Sequence, residues 1–386
     1  MHSKFDYTRF GILLFPFVLP LPIPMNIKSL ALILFAFTLF LNSFKNKVDL
    51  KNLIADKIVI LFLLLFLLDP ILSLIHNKNI YFREYRISFL FLPTLFLINK
   101  DLLSLYKHQI LRVYVVGVLC YLFYTLIYVI YFYSINPEEF ALDYFLKYVT
   151  YHFLPYAIHH TYFGIYVCFA SAIVIFDKKI YKKLKIILIS MFFFSIFILG
   201  SKFSILFFVI ILPIFISINL NYSRLRITSI LSFILLVGAS IVGFFYLKTD
   251  LFRTLVLSTK NRVTLYECSI GYIKDNYLIG IGNENVKAYI ERCNKGIGRM
   301  DTHNIFLQEF LSNGILGIGI LILLLIFFFK AFLKNKKMLG ILLIIMLISF
   351  GMVEHLLNTQ NGVLFIVFFL MIFYFTTNKA INKVIQ

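Results

Sequence analysis

Apolar residues run along this chain in long blocks, each closed by a short cluster of lysine, arginine or proline. Val113 to Tyr133 and Ile227 to Tyr246 each supply the roughly 20 mostly apolar residues that a helix needs to cross the hydrocarbon core of a bilayer. Such runs read as helices and not strands, because in lipid each segment has to satisfy its own backbone groups. The pattern predicts twelve spans, at 9–25, 27–43, 58–75, 81–98, 113–133, 161–176, 186–200, 203–218, 227–247, 314–333, 338–351 and 363–377. The first carries Pro16, Pro20, Pro22 and Pro24 and forms a proline-broken pair with the second, and the seventh and eighth meet at Gly200-Ser201-Lys202. The first apolar stretch lacks a small-residue cleavage site, so it is expected to be retained as a helix.

Composition strengthens this picture. Apolar residues make up 61% of the chain and charged residues only 14%, against about half and a quarter in an ordinary soluble domain. The expected fold class is all-α, a polytopic integral membrane protein of about 12 transmembrane helices, with one long extracytoplasmic loop between helices 9 and 10. Residues 1–247 would hold the first nine helices, residues 248–302 the loop with short amphipathic helices, and residues 303–386 a returning helix and the last three spans.

Charge sets the orientation. With the N-terminus in the cytoplasm, twenty-two of the 37 lysines and arginines fall on inner segments, from Lys4 and Arg9 to Lys379 and Lys383. Nine lie in the long loop, and only six, Lys28, Lys78, Arg83, Arg86, Lys147 and Lys202, lie on short outer segments. This is the positive-inside distribution, from which long loops are exempt, and it places both termini in the cytoplasm. The +19 net charge is then an orientation signal reinforced by anionic membrane lipids. It calls for no nucleic acid.

The stretch from Lys248 to Thr302 is the one sizeable polar segment, and polar loops on a rigid scaffold are where chemistry usually sits. Val263, Tyr266, Ile270 and Ile273 recur at helical spacing between Asn261 and Asn276, predicting an amphipathic helix on the membrane surface. Gly280-Ile281-Gly282 predicts a turn, and Glu284 to Cys293 a second short helix. Asp301 or Thr302 is placed to cap a further helix through Ile305, Phe306, Leu307 and Phe310, with His303 in its first turn. Cys268 and Cys293 share this loop and form the disulfide candidate, facing an oxidising compartment. Cys120 and Cys168 fall inside spans and read as packing residues.

Between Arg262 and Gly317 the sequence resembles the signature region of the bacterial O-antigen ligase and O-antigen polymerase superfamily. That pattern is an arginine leading an amphipathic helix, a D-N-P-L-x-G-x-G turn, then H-N-x-x-L-Q before G-x-x-G. Here Asp275 to Gly282 reads DNYLIGIG, with Tyr277 in place of proline, and His303 opens HNIFLQ. Gly200-Ser201-Lys202 is a looser echo of a Ser-Arg pair, with lysine lacking the planar fork of arginine. The resemblance implies a glycosyltransferase of the outer face of the inner membrane, using no cofactor and no metal. Its donor would be an undecaprenyl diphosphate-linked glycan and its acceptor lipid A-core or another glycan, ligase being favoured over polymerase.

Residue chemistry agrees. A leaving diphosphate is stabilised by a cation in a low-dielectric site, and an acceptor hydroxyl needs a base such as histidine. His303 and Arg262 are the catalytic candidates. Arg262, Lys202, Arg83 and Arg86 are the diphosphate-binding candidates. Each also has a plainer reading, as an interfacial histidine, a snorkelling cation or, for the Arg83–Arg86 pair, a membrane-edge anchor. His152, His159 and His160 stand before the sixth span, as a metal group or a bilayer-edge segment. Asp69, costly to bury in the third span, predicts a partner among the outer cations. Glu354 and His355 receive no role. Without a Walker A loop, a D-x-D motif or H-E-x-x-H, ATPase, nucleotide-sugar transferase and zincin readings lack support. A transporter of lipid-linked glycans or small molecules is the rival class, but the sequence shows no inverted repeat.

Overall fold

A computed structural model of the protein describes residues 6–44, 56–77, 80–81, 83–135, 154–198, 201–219, 250–293 and 301–376. Every regular element among the described residues is helical. The helices are α1 (Tyr7–Val18), α2 (Met25–Ser43), α3 (Lys57–Asn77), α4 (Ile87–Ile98), α5 (Lys100–Ile135), α6 (His160–Phe176), α7 (Lys182–Ile198), α8 (Lys202–Leu206), α9 (Leu212–Asn219), α10 (Asp250–Asp275), α11 (Val286–Cys293), α12 (Ile305–Lys334), α13 (Met338–Gly351) and α14 (Gln360–Phe375). A π-helical stretch, Phe207–Ile211, links α8 to α9.

Four helices, Met25–Ser43, Lys57–His76, Lys100–Ile135 and Ile305–Lys334, are long and apolar enough to cross a membrane, and five shorter ones are apolar as well. The protein is a multi-pass membrane protein of helices. The expected ninth span, at 227–247, lies outside the described residues, as do His152 and Gly200. The expected fourth span begins later than its hydropathy suggested, since a single 3₁₀ turn, Glu84–Arg86, precedes α4.

The described chain forms two compact units. The first comprises 1–50, 94–212 and 368–386. Its core includes edge-to-face contacts of Phe368 with Phe15, Phe35 and Phe96, the preferred geometry for aromatic quadrupoles. Asn99 donates from one side-chain nitrogen to Ser43 Oγ and accepts from Asn42, so a buried polar group at a helix end is satisfied. His159, His160 and Lys202 belong to this unit.

The second unit comprises 51–93 and 213–367, and its frame is α12 packed on α3, α10 and α13. Gly314, at φ +61°, breaks α12, and the break exposes carbonyls that a straight helix would consume. The DNYLIGIG turn takes them. Ile281 N–H donates to Leu311 O (2.9 Å), Gly282 N–H to Ser312 O (3.0 Å), and in return Ile315 N–H donates to Tyr277 O (2.8 Å). The approach needs glycine on both sides. A Cβ on Gly314 would fall 2.3 Å from Leu278 O, and one on Gly280, at φ +69°, would fall 2.6 Å from Ser312 O. The expected Gly-x-Gly turn is therefore a backbone lock onto a broken helix.

Around this lock Leu265, Ile273, Ile281, Val286, Ile290 and Leu311 form one apolar cluster. The register of α10 differs from the one its spacing suggested. Val263 and Ile270 are about half exposed, while Leu265, Cys268 and Ser269 are buried with Ile273. The helix meets protein along that second stripe because α11 and α12 lie there.

Cys268 and Cys293 are joined in a disulfide with Cα atoms 6.0 Å apart, tying α10 to the end of α11. Closing a loop of 25 residues stabilises by about 3 kcal/mol in the chain-entropy model. Cys293→Ser is expected to lower the thermal midpoint of the detergent-solubilised protein, and dithiothreitol should reproduce the shift in the wild type only. A midpoint equal to wild type would show that the bridge contributes nothing.

Candidate active site

The helix after the loop starts later than Asp301 or Thr302 would have set it. Asn304 is the cap, its side-chain oxygen accepting from Phe306 N–H (2.9 Å) and Leu307 N–H (3.0 Å). His303 consequently stands before the first turn, in the left-handed region at φ +50°, and its side chain keeps 28% of its surface exposed. Asn304 also donates to Met352 O, fastening the cap to the turn between α13 and α14. Gln308 accepts from Thr302 N–H and Thr302 Oγ1 and donates to Asn283, tying the approach to His303 to the residues after the glycine turn. The asparagine and glutamine of H-N-x-x-L-Q thus build the frame for the histidine.

Arg262 reaches the same turn from α10. Its Nη1 donates to Val353 O (2.9 Å), and Tyr266 Oη, one helical turn on, donates to Met352 O (2.9 Å). Between Arg262 and His303 lies a carboxylate the sequence left without a role. Glu354, its side chain only 4% exposed, places Oε1 3.7 Å from Arg262 Nη2 and Oε2 3.5 Å from His303 Nδ1. The two catalytic candidates, separated by most of the loop, meet on one acid. His355 stands beside them, its ring centroid 5.2 Å from that of His303 and its Nε2 3.5 Å from Asp301 Oδ2. Burial holds the His355 imidazole below the usual histidine range, against the pull of Asp301.

Arg83 and Arg86 lie in the same unit but inside it, with fully buried side chains. Arg83 contacts Asp69 and Glu309, each at 3.0 Å, and donates to Asn358 and to Ser312 Oγ. Arg86 pairs with Glu309 and lies 3.7 Å from Asp69. Asn313 donates to both acids. Two guanidiniums and two carboxylates form a buried network between α3, the 3₁₀ turn and α12. Asp69 finds its partners in Arg83 and Arg86, as its cost in an apolar helix required. Glu309 and Asn313 were missed by the sequence reading, although an acid in an apolar helix was itself the signal. Lys202 opens α8 in the other unit, and its side chain is not among those described.

Residues 186–322 match the family described as O-antigen ligase. Over that domain-sized stretch the chain is similar to O-antigen ligases. The matched region of this domain contains Arg262, the glycine turn, His303 and Glu309, whereas Asp69, Arg83, Arg86 and Glu354 lie outside it. The domain type is that of ligase and polymerase membrane glycosyltransferases acting on lipid-linked glycans. No curated protein matches the chain.

Proposed function

We propose that the protein transfers a glycan from an undecaprenyl diphosphate carrier to a sugar hydroxyl at the outer face of a bacterial inner membrane, as a ligase with lipid A-core or a similar acceptor. The observation that carries this reading is the convergence of Arg262 and His303 on Glu354. With Nδ1 turned to the carboxylate, Nε2 of His303 is the nitrogen left to take a proton. As the acceptor oxygen bonds to the anomeric carbon, its proton passes to Nε2. The bond from that carbon to the diphosphate oxygen breaks, and the electron pair leaves with the diphosphate. Glu354 holds the ring and stabilises the imidazolium that forms, and Arg262, more than a third exposed, faces the growing negative charge. In this reading Arg83 and Arg86, each already bound to carboxylates, serve the fold. Cationic side chains do the work that a metal does in other phosphate-leaving reactions.

The test is transfer in proteoliposomes from a defined polyprenyl diphosphate oligosaccharide to a sugar acceptor, with EDTA present. Arg262→Lys is expected to lose about 10- to 100-fold, the worth of a charge-assisted pair that a point charge reproduces poorly. Wild-type transfer by that variant would remove Arg262 from the diphosphate. A deletion strain divides the branches: full-length glycan left on its carrier indicates a ligase, and single repeats on the acceptor indicate a polymerase.

A further inference from the structure

His303, Glu354 and His355 present two imidazoles and a carboxylate whose ligand atoms all lie within 4.8 Å of one another. A divalent ion bound at about 2.0–2.2 Å draws such atoms to roughly 3.5 Å apart. His303 Nδ1 and Glu354 Oε2 are already at 3.5 Å. His303 precedes its helix and is partly exposed, so its ring can turn to complete the set without moving α12.

An independent feature points the same way. His355 Nδ1 is buried with no hydrogen-bond partner, while its other nitrogen faces Asp301. One nitrogen on a carboxylate and the other bare is the arrangement of a metal-ligating histidine with its outer partner in place. Two nearby cations limit the affinity, Arg262 at 3.7 Å from Glu354 and Lys287 at 3.9 Å from Asp301. Three ligands, an open fourth position and flanking positive charge describe an exchangeable site, and imidazole with carboxylate suits Zn²⁺ better than Mg²⁺ or Ca²⁺.

We propose that His303, Glu354 and His355 form a reversible zinc site whose occupation inhibits transfer. This rests on the reading of His303 as the base. An ion on Nδ1 takes the place of the Glu354 contact and draws electron density from the ring, so Nε2 no longer accepts the proton of the incoming hydroxyl.

The experiment titrates ZnCl₂ into the purified, detergent-solubilised chain by calorimetry without donor or acceptor, and then measures transfer with and without zinc. One equivalent is expected to bind and to be removed by EDTA. His355→Ala and, as a milder change, His355→Asn should each weaken binding by about tenfold or more. Transfer should fall as the site fills and return with EDTA. No stoichiometric binding, or binding unchanged in both His355 variants, overturns the site. Binding at that site with transfer unaffected or raised overturns the inhibition. Because binding is read without substrates, a chain that binds zinc there and transfers nothing under any condition sinks the functional reading and leaves the site standing.

Discussion

His303→Ala is expected to lower transfer by roughly 10² to 10⁴, the usual worth of a positioned general base, while the protein accumulates in the membrane at its normal level. The second half matters because His303 sits at φ +50°, where alanine is strained. His303→Asn provides the control, since asparagine tolerates this conformation better than most residues but cannot act as a base near neutral pH. Both variants should lose transfer together. If Asn retained activity that Ala lost, the histidine would be serving the turn and not the chemistry. Nothing in the cap depends on the imidazole, because Asn304 supplies the hydrogen bonds that start α12. Full transfer by either variant in a reconstituted assay would remove the proposed base.

Glu309→Ala is expected to destabilise the fold by roughly 3–5 kcal/mol, the cost of leaving buried charge uncompensated. The carboxylate contacts both Arg83 and Arg86, and all three side chains are sealed from solvent. With it gone, Asp69 alone would face two guanidiniums. The expected readouts are a sharp fall in the amount of folded protein and a lower thermal midpoint in detergent. Pairing the change with Arg86→Met restores one acid to one base and should recover part of the loss. An alanine variant as stable as wild type would show that water or lipid headgroups reach the network. The same result would return Arg83 and Arg86 to the list of diphosphate ligands.

Hydrophobic periodicity revealed the helices because lipid forces the backbone into them whatever the tertiary contacts are. Their ends were less legible. Hydropathy extended the fourth span back to residue 81, where the chain instead turns once as a 3₁₀ helix to aim Arg83 and Arg86 inward. Arg262 and His303 were legible through their motif, and so was the turn between them. Its purpose was not, since nothing in Gly280-Ile-Gly282 says that its partner is the break at Gly314. Glu354 was invisible for a plainer reason. It is one acid in a short connection far along the chain, and its meaning comes from a fold that lays this connection against α10 and the cap of α12.

That clasp has a consequence for how the protein is made. Synthesis runs from the N-terminus, and domains tend to form as they emerge. Arg262 and His303 are translated well before Val353 and Glu354, which anchor the one and orient the other. A chain halted after α12 would hold the signature motifs and no finished site. In the proposed reading, transfer is therefore expected only from chains that extend through Glu354.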